Sequence, residues 1–260
     1  EIMYGMSEVK EYDDYTYEHS VNVCILSLVL GIDQDYSHAQ LRSLGIGSML
    51  HDIGKIKIPL EIINKPDRLT YEELIAVKQH PWAGFKLATA TNDLPRGAGQ
   101  AILQHHEHID GRGYPRGIDE ANIHEFGMIV AVADVFDALI TDRPYRRGFS
   151  NYMAIRIIQQ GAGTHFSKRF VDALLRHVKL YPPGTVVVLG SEDLAVVTHE
   201  NPADRNRPRL KLLFDASGKP YDMEAAVDLA ERKDISITKV LEADEAETKL
   251  IQFLQIHKSG

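Results

Sequence analysis

Over the first two thirds of the chain the apolar positions recur with helical spacing. Val21, Val23, Ile25, Leu26, Leu28 and Val29 form a broadly apolar segment suited to a buried helix. Leu41, Leu44, Ile46, Met49 and Leu50 follow at the spacing of one helix and run directly into His51 and Asp52. Thr70 and Glu73 predict a capping box that opens a helix reaching toward His80. Pro95 suits the start of a further helix, whose Ala101, Ile102 and Leu103 lead to His105. The stretch FGMIVAVADVFDALI reads as a buried helix with two polar interruptions, Asp134 and Asp137, and Ala154 to Gln160 and Phe170 to Val178 add two more helices.

The pattern changes at YPPGTVVVL, where Pro182, Pro183 and Gly184 stop the helical run. TVVVL, LAVVTH and RLKLLF are short and rich in valine and leucine, the mark of strands. Residues 183–240 are therefore expected to form a small β appendage, with a short helix at MEAAVDLAER. The spacing of Leu250, Phe253, Leu254 and His257 predicts a terminal helix over 244–257. The expected architecture is mainly α: a helical domain over 1–182 and a β-rich appendage over 183–260.

Composition narrows the class. With 44% apolar and 25% charged residues the chain is an ordinary globular protein rather than a disordered one. A formal net charge of -8 argues against a nucleic-acid polymer as partner, because phosphate backbones are held by basic surfaces. The one cysteine, Cys24, excludes an internal disulfide framework, fits a reducing cytoplasm and reads as a buried helix residue within VNVCILSLVL. No run reaches the roughly 18 apolar residues of a spanning helix, so no membrane insertion is expected. No signal peptide is legible, and the opening Glu1 predicts that a longer protein continues upstream.

The candidate chemistry is spread over the predicted helices: His19 begins the first, His51-Asp52, His80 and His105-His106 end three more, and Asp134 is buried within another. His19, His51-Asp52, His80, His105-His106 and Asp134 fall on five separate helices, and a helical bundle builds metal sites from side chains projecting inward from facing helices. Neighbours on a helix point about 100° apart, so a His-Asp or His-His doublet suits two adjacent metals better than one. Asp52, with two carboxylate oxygens, can bridge them. Asp134 is the sharpest signal, since a charge inside an apolar helix is costly unless paired or ligating. Two metals side by side would lower the pKa of a shared water and offset the charge of a phosphodiester. The remaining histidines, His108 and His165 among them, read as ordinary structural or surface residues.

HDIGKIKIP, HHEHIDGRGYP and ADVFDALITDRPYR, in that order, resemble the motifs of the HD-GYP family, a branch of the HD metal-dependent phosphohydrolases. The resemblance covers roughly residues 10–180 and implies an HD-type helical bundle that opens cyclic di-GMP to pGpG and then GMP; some members act on cyclic GMP-AMP. It implies metal ligands at His19, His51, Asp52, His80, His105, His106 and Asp134, with Lys55 at the scissile phosphate. Gly113, Tyr114 and Pro115 would form a loop beside the nucleotide, and Arg143 and Arg146 would hold phosphate oxygens. Asp137 is carried over with the substrate-binding group, and Asp13 as a residue near the site. The chain departs from the family pattern at Tyr15, where some members place a glutamate for a third metal, at His108, often arginine, and at Ser167, often aspartate. Two divalent metals are therefore expected, iron or manganese foremost, with zinc or nickel as alternatives.

All seven ligands are present, which favours an enzyme over a silent module that binds cyclic dinucleotides or docks to their synthases. A homodimer, an upstream sensory or regulatory domain and cyclic di-GMP synthases are the expected partners beside the substrate.

Overall fold

Serine and threonine caps open two of the helices. In the computed structural model, which describes residues 14–65, 67–90, 93–142 and 147–256, α1 (Asp14–Asp33) is followed by α2 (His38–Met49). Ser37 opens α2 with a capping box: the Gln40 N–H donates to its hydroxyl, and its own N–H donates to the Gln40 side chain at 3.0 Å. A 3₁₀ turn (Ile53–Lys57) and the short α3 (Leu60–Ile63) lead to α4 (Tyr71–Val77), which carries the predicted capping box of Thr70 and Glu73. Then come α5 (His80–Thr89), α6 (Ala98–Gln104) and α7 (Glu125–Ile140), the last with Ile129, Val130, Val132 and Ala133 fully or almost fully buried. Helices α8 (Asn151–Gly161) and α9 (Lys168–His177) complete the helical part. His80 starts α5 rather than ending the helix before it, because Pro81 has no N–H to donate and suits a first turn.

Helix α2 packs against α1 and α6, and α5 against α6 and the 3₁₀ turn. The last contact needs a glycine: a Cβ on Gly54 would lie 2.0 Å from the His80 carbonyl oxygen and 2.5 Å from the Gly84 nitrogen. The bare backbone lets the HDIGK turn settle onto the start of α5 and sets Asp52 beside His80. At the far end of α1, Asp33 accepts from the Arg176 guanidinium and from His177 Nε2, joining α1 to α9.

The chain divides into two compact units. One runs to Leu139 and includes Ile157–His177; the other takes Ile140–Arg156 together with the residues from Val178. In the second, β1 (Val186–Leu189), β2 (Leu194–His199), β3 (Arg209–Phe214), β4 (Ala226–Asp228) and β5 (Ile237–Val240) form one antiparallel sheet in the order β4-β3-β2-β1-β5. Val187, Leu189, Ala195, Val197 and Leu210 share one apolar cluster. Val188, Leu194 and Phe214 belong to another, covered by Ala246, Leu250 and Phe253 of α10 (Ala243–Ile256). Ser150 joins this unit by donating from its N–H and its hydroxyl to the Glu242 carboxylate, at 2.7 and 2.5 Å.

The helix predicted at residues 223–232 does not form. Val227 and Leu229, two apart and both buried, give the alternation of a strand, and residues 226–228 pair with 209–211 of β3. Sheet pairing outweighs the helical propensity of the alanines and glutamates. Among the described residues no helix is long and apolar enough to cross a membrane.

Candidate metal centre

Three histidines reach the centre by the same local device. The last carbonyls of a helix lack an N–H partner within the helix. His51 Nδ1 donates to the Ser48 carbonyl at 2.7 Å, His80 Nδ1 to Val77 at 2.7 Å and His105 Nδ1 to Ile102 at 2.8 Å. Each histidine lies three residues beyond the carbonyl it caps, and those carbonyls belong to the last turns of α2, α4 and α6. A carbonyl can only accept, so the proton sits on Nδ1 and the Nε2 lone pair is left pointing inward. Such outer bonds orient ligating imidazoles in metal sites.

The inward lone pairs meet one another. His80 Nε2 lies 3.1 Å from His105 Nε2 and 3.2 Å from Asp52 Oδ1. His51 Nε2 lies 3.3 Å from Asp52 Oδ2, yet His51 Nε2 and Asp52 Oδ1 are both buried without an aligned hydrogen bond. From α1, His19 points Nε2 at Asp134 Oδ1, 3.0 Å away, while its Nδ1 bonds Asp137 Oδ2 at 2.7 Å. His106 Nδ1 stands 3.8 Å from Asp134 Oδ2. Ligand atoms of Asp52, His80, His105 and His106 lie within 4.8 Å of one another, as do those of His19, His51 and Asp52, and those of His51, His105 and Asp134. Asp52 belongs to the first two groups.

These residues fit a metal. Facing nitrogen lone pairs and carboxylate oxygens repel at such distances unless cations stand between them, and a buried acceptor without a donor is costly. Burial favours the neutral form of Asp52, but the Lys55 ammonium beside it holds its carboxyl well below the usual range. Burial lowers His106 to about 3, and burial with the neighbouring imidazoles lowers His105 well below its ordinary value, keeping both neutral as ligands must be. Burial would also lower His19, but its bonds to Asp134 and Asp137 outweigh that and raise it to about 9. Asp134 shifts the other way, its charge favoured against burial by His19.

The structure thus brings His19, His51, Asp52, His80, His105, His106 and Asp134 to one place. Lys55 Nζ bonds Asp52 Oδ2 at 2.5 Å. The Asp137 carboxylate faces the back of His19, an orienting position that its place in the sequence does not disclose. Tyr114 stacks on His106 with ring centroids 4.6 Å apart. Gly113 passes so close to residues 106–108 that a Cβ there would lie 2.2 Å from the His108 nitrogen. Arg143, Arg146 and Asp13 lie outside the described residues, as does the side chain of Tyr15.

Two residues enter only with the structure. Glu107 is 2% exposed, and its carboxylate accepts the N–H groups of Arg116 at 2.8 Å, Gly117 at 2.9 Å and Ile118 at 3.2 Å. It holds the loop that carries Tyr114. Lys78 lies over the Tyr114 ring at 5.2 Å. The one sequence signal for Glu107 is an acidic residue followed by the turn GRGYPRG, whose backbone N–H groups need acceptors.

A family model described as an HD domain matches residues 7–169, and one described as a KOW domain associated with HD domain matches residues 186–249. The chain is 36% identical over 225 residues to a cyclic di-GMP phosphodiesterase of Pseudomonas aeruginosa, covering 86% of this chain and 54% of that protein. It is 38% identical over 179 residues to a cyclic di-GMP phosphodiesterase of Thermotoga maritima, covering 68% of this chain and 48% of that one. It therefore spans about half the length of these curated relatives. Among solved structures it is similar in fold to an HDG"Y"P protein from Bdellovibrio bacteriovorus, with a TM-score of 0.52 and 24% identity over 61% of this chain and 51% of the other. A match over residues 7–169, on a chain whose separated His and Asp doublets meet at one buried centre, means that the chain belongs to the HD domain family, in its HD-GYP branch.

Proposed function

We propose that this chain is a metal-dependent phosphodiesterase that hydrolyses cyclic di-GMP to pGpG and then GMP. The observation that carries the reading is Asp52, one buried carboxylate shared by two groups of ligand atoms. The curated relatives above, named for that activity, support the choice of substrate. His19, His51, Asp52, His80, His105, His106 and Asp134 would hold two divalent cations, iron or manganese foremost. Cations held there lower the pKa of a water and offset the charge of a phosphodiester.

The chain's own residues do the rest. Asp137 and the helix-end carbonyls fix the imidazole orientations. Lys55, against Asp52, places a positive charge beside the scissile phosphate, where it is most useful as charge builds in the transition state. Tyr114, held by its stack on His106, packs against the nucleotide, and Arg143 and Arg146 hold phosphate oxygens. The catalytic domain runs to residue 182, and the segment from 183 is an appendage. The chain works in the cytoplasm as a homodimer, downstream of a sensory or regulatory domain and alongside cyclic di-GMP synthases.

The test is to incubate the metal-loaded protein with cyclic di-GMP and separate the products by chromatography. Linear pGpG followed by GMP is expected, and no product from Asp52→Ala. A metal-loaded wild type that binds cyclic di-GMP without cleaving it would replace this reading with that of a docking module.

A further inference from the structure

A cavity of about 440 Å³ opens beside the metal centre, with His105 and His106 in its wall. That volume falls within the roughly 300–1,000 Å³ of small-molecule sites. Val135 of α7, Ile157 of α8 and Phe166 give it apolar surface. Gln160 and His165 add exposed polar groups that make no side-chain hydrogen bond among the described residues.

The wall is built rather than loose. The turn after α8 is tied to the ligand segment by the Ile109 N–H donating to the His165 carbonyl at 3.3 Å and the Asp110 N–H donating to Thr164 at 3.0 Å. Within the turn the Gly163 N–H donates to the Phe166 carbonyl at 2.8 Å, and the His165 ring packs edge-on to His108 at 4.2 Å. Two histidines that read as ordinary in the sequence thus stand at one side of the same cavity.

We propose that this cavity receives a purine base of the substrate, with Gln160 and His165 reading its edge. The inference deepens the phosphodiesterase reading and rests on it. In a cyclic dinucleotide only a ribose separates each base from a phosphate, so a base must enter a space that shares a wall with the reacting centre. Phe166 and the aliphatic side chains offer the flat apolar surface on which a purine packs. The Gln160 amide carries a donor and an acceptor side by side, which matches the adjacent donor and acceptor on the edge of a purine. His165 adds a second polar contact from the turn.

The experiment uses the metal-loaded protein with GMP as the probe and ribose 5-phosphate, which lacks the base, as the control ligand. Gln160→Leu and His165→Ala lie at exposed positions and should leave the fold and the metal content unchanged, checked by circular dichroism and elemental analysis. Each lost contact should weaken GMP binding roughly tenfold in calorimetry, and ribose 5-phosphate should bind wild type and variants alike. The KM for cyclic di-GMP should rise by a similar factor. GMP binding equal in wild type and both variants, or no GMP binding at all, overturns the cavity assignment. Cyclic di-GMP hydrolysis with an unchanged KM in both variants also overturns it and leaves the phosphodiesterase reading standing. GMP bound through Gln160 and His165 by a wild type that leaves cyclic di-GMP intact does the reverse.

Discussion

His80 Nε2 and His105 Nε2 face each other at 3.1 Å although 25 positions separate them in the chain. Both Nδ1 atoms donate to helix-end carbonyls, so the facing atoms are two bare lone pairs. A cation removes the repulsion. Divalent metal should therefore raise the thermal midpoint, and a chelator should lower it. At a free metal concentration of 100 Kd the gain is about 2.7 kcal/mol, a shift of several degrees in calorimetry. A midpoint indifferent to metal and chelator would remove the metal centre from the account.

Asp137 holds His19 by Nδ1, leaving Nε2 for the centre. Asp137→Asn can donate from its amide to Nδ1 and so favours the wrong tautomer. Metal affinity should fall by about 10–100-fold, as for other lost outer-shell partners, with the helical content unchanged. Competition titration against a chromophoric chelator measures it; an unchanged affinity would limit Asp137 to packing.

Glu107 accepts three backbone N–H groups from the loop that follows Tyr114. Glu107→Ala leaves those donors without their acceptor and should cost about 1–3 kcal/mol or more of stability. The loosened Tyr114 should raise the KM for cyclic di-GMP more than it lowers kcat. Glu107→Gln, which keeps one acceptor oxygen, should recover part of both losses. Equal behaviour of the two variants in denaturant melts and kinetics would show that the loop does not depend on this carboxylate.

The Arg176 guanidinium first, and then the His177 imidazole, hold the Asp33 carboxyl well below its ordinary value of 3.8. A folded-state value below the unfolded one adds stability above about pH 4 that is lost as acid protonates the group in the native state. Asp33→Asn should therefore be less stable than wild type at neutral pH, and the difference should shrink as pH falls below 4. Urea melts from pH 7 to pH 3 measure the gap. A constant gap would mean that the ion pair contributes nothing linked to that proton.

Local sequence determined a good deal. The helices around the centre follow from 3.6-residue apolar spacing and from caps such as Thr70 with Glu73, because these act within one or two turns. The terminal helix predicted over 244–257 lies at Ala243–Ile256 for the same reason. The candidate ligands stood out in the sequence because a buried charge such as Asp134 and repeated histidines near helix ends are hard to explain without a cation. Tertiary structure decided the rest. Residues 226–228 became a strand because β3 offered an unpaired edge, which no local pattern records. Asp137 became the partner of His19, 118 positions away, and Glu107 the holder of a loop up to 11 residues onward. His165 came to stand against His108 because two backbone bonds tie their segments together. Periodicity reports which face of a helix is buried; which residue on another helix meets it depends on packing between elements distant in the chain.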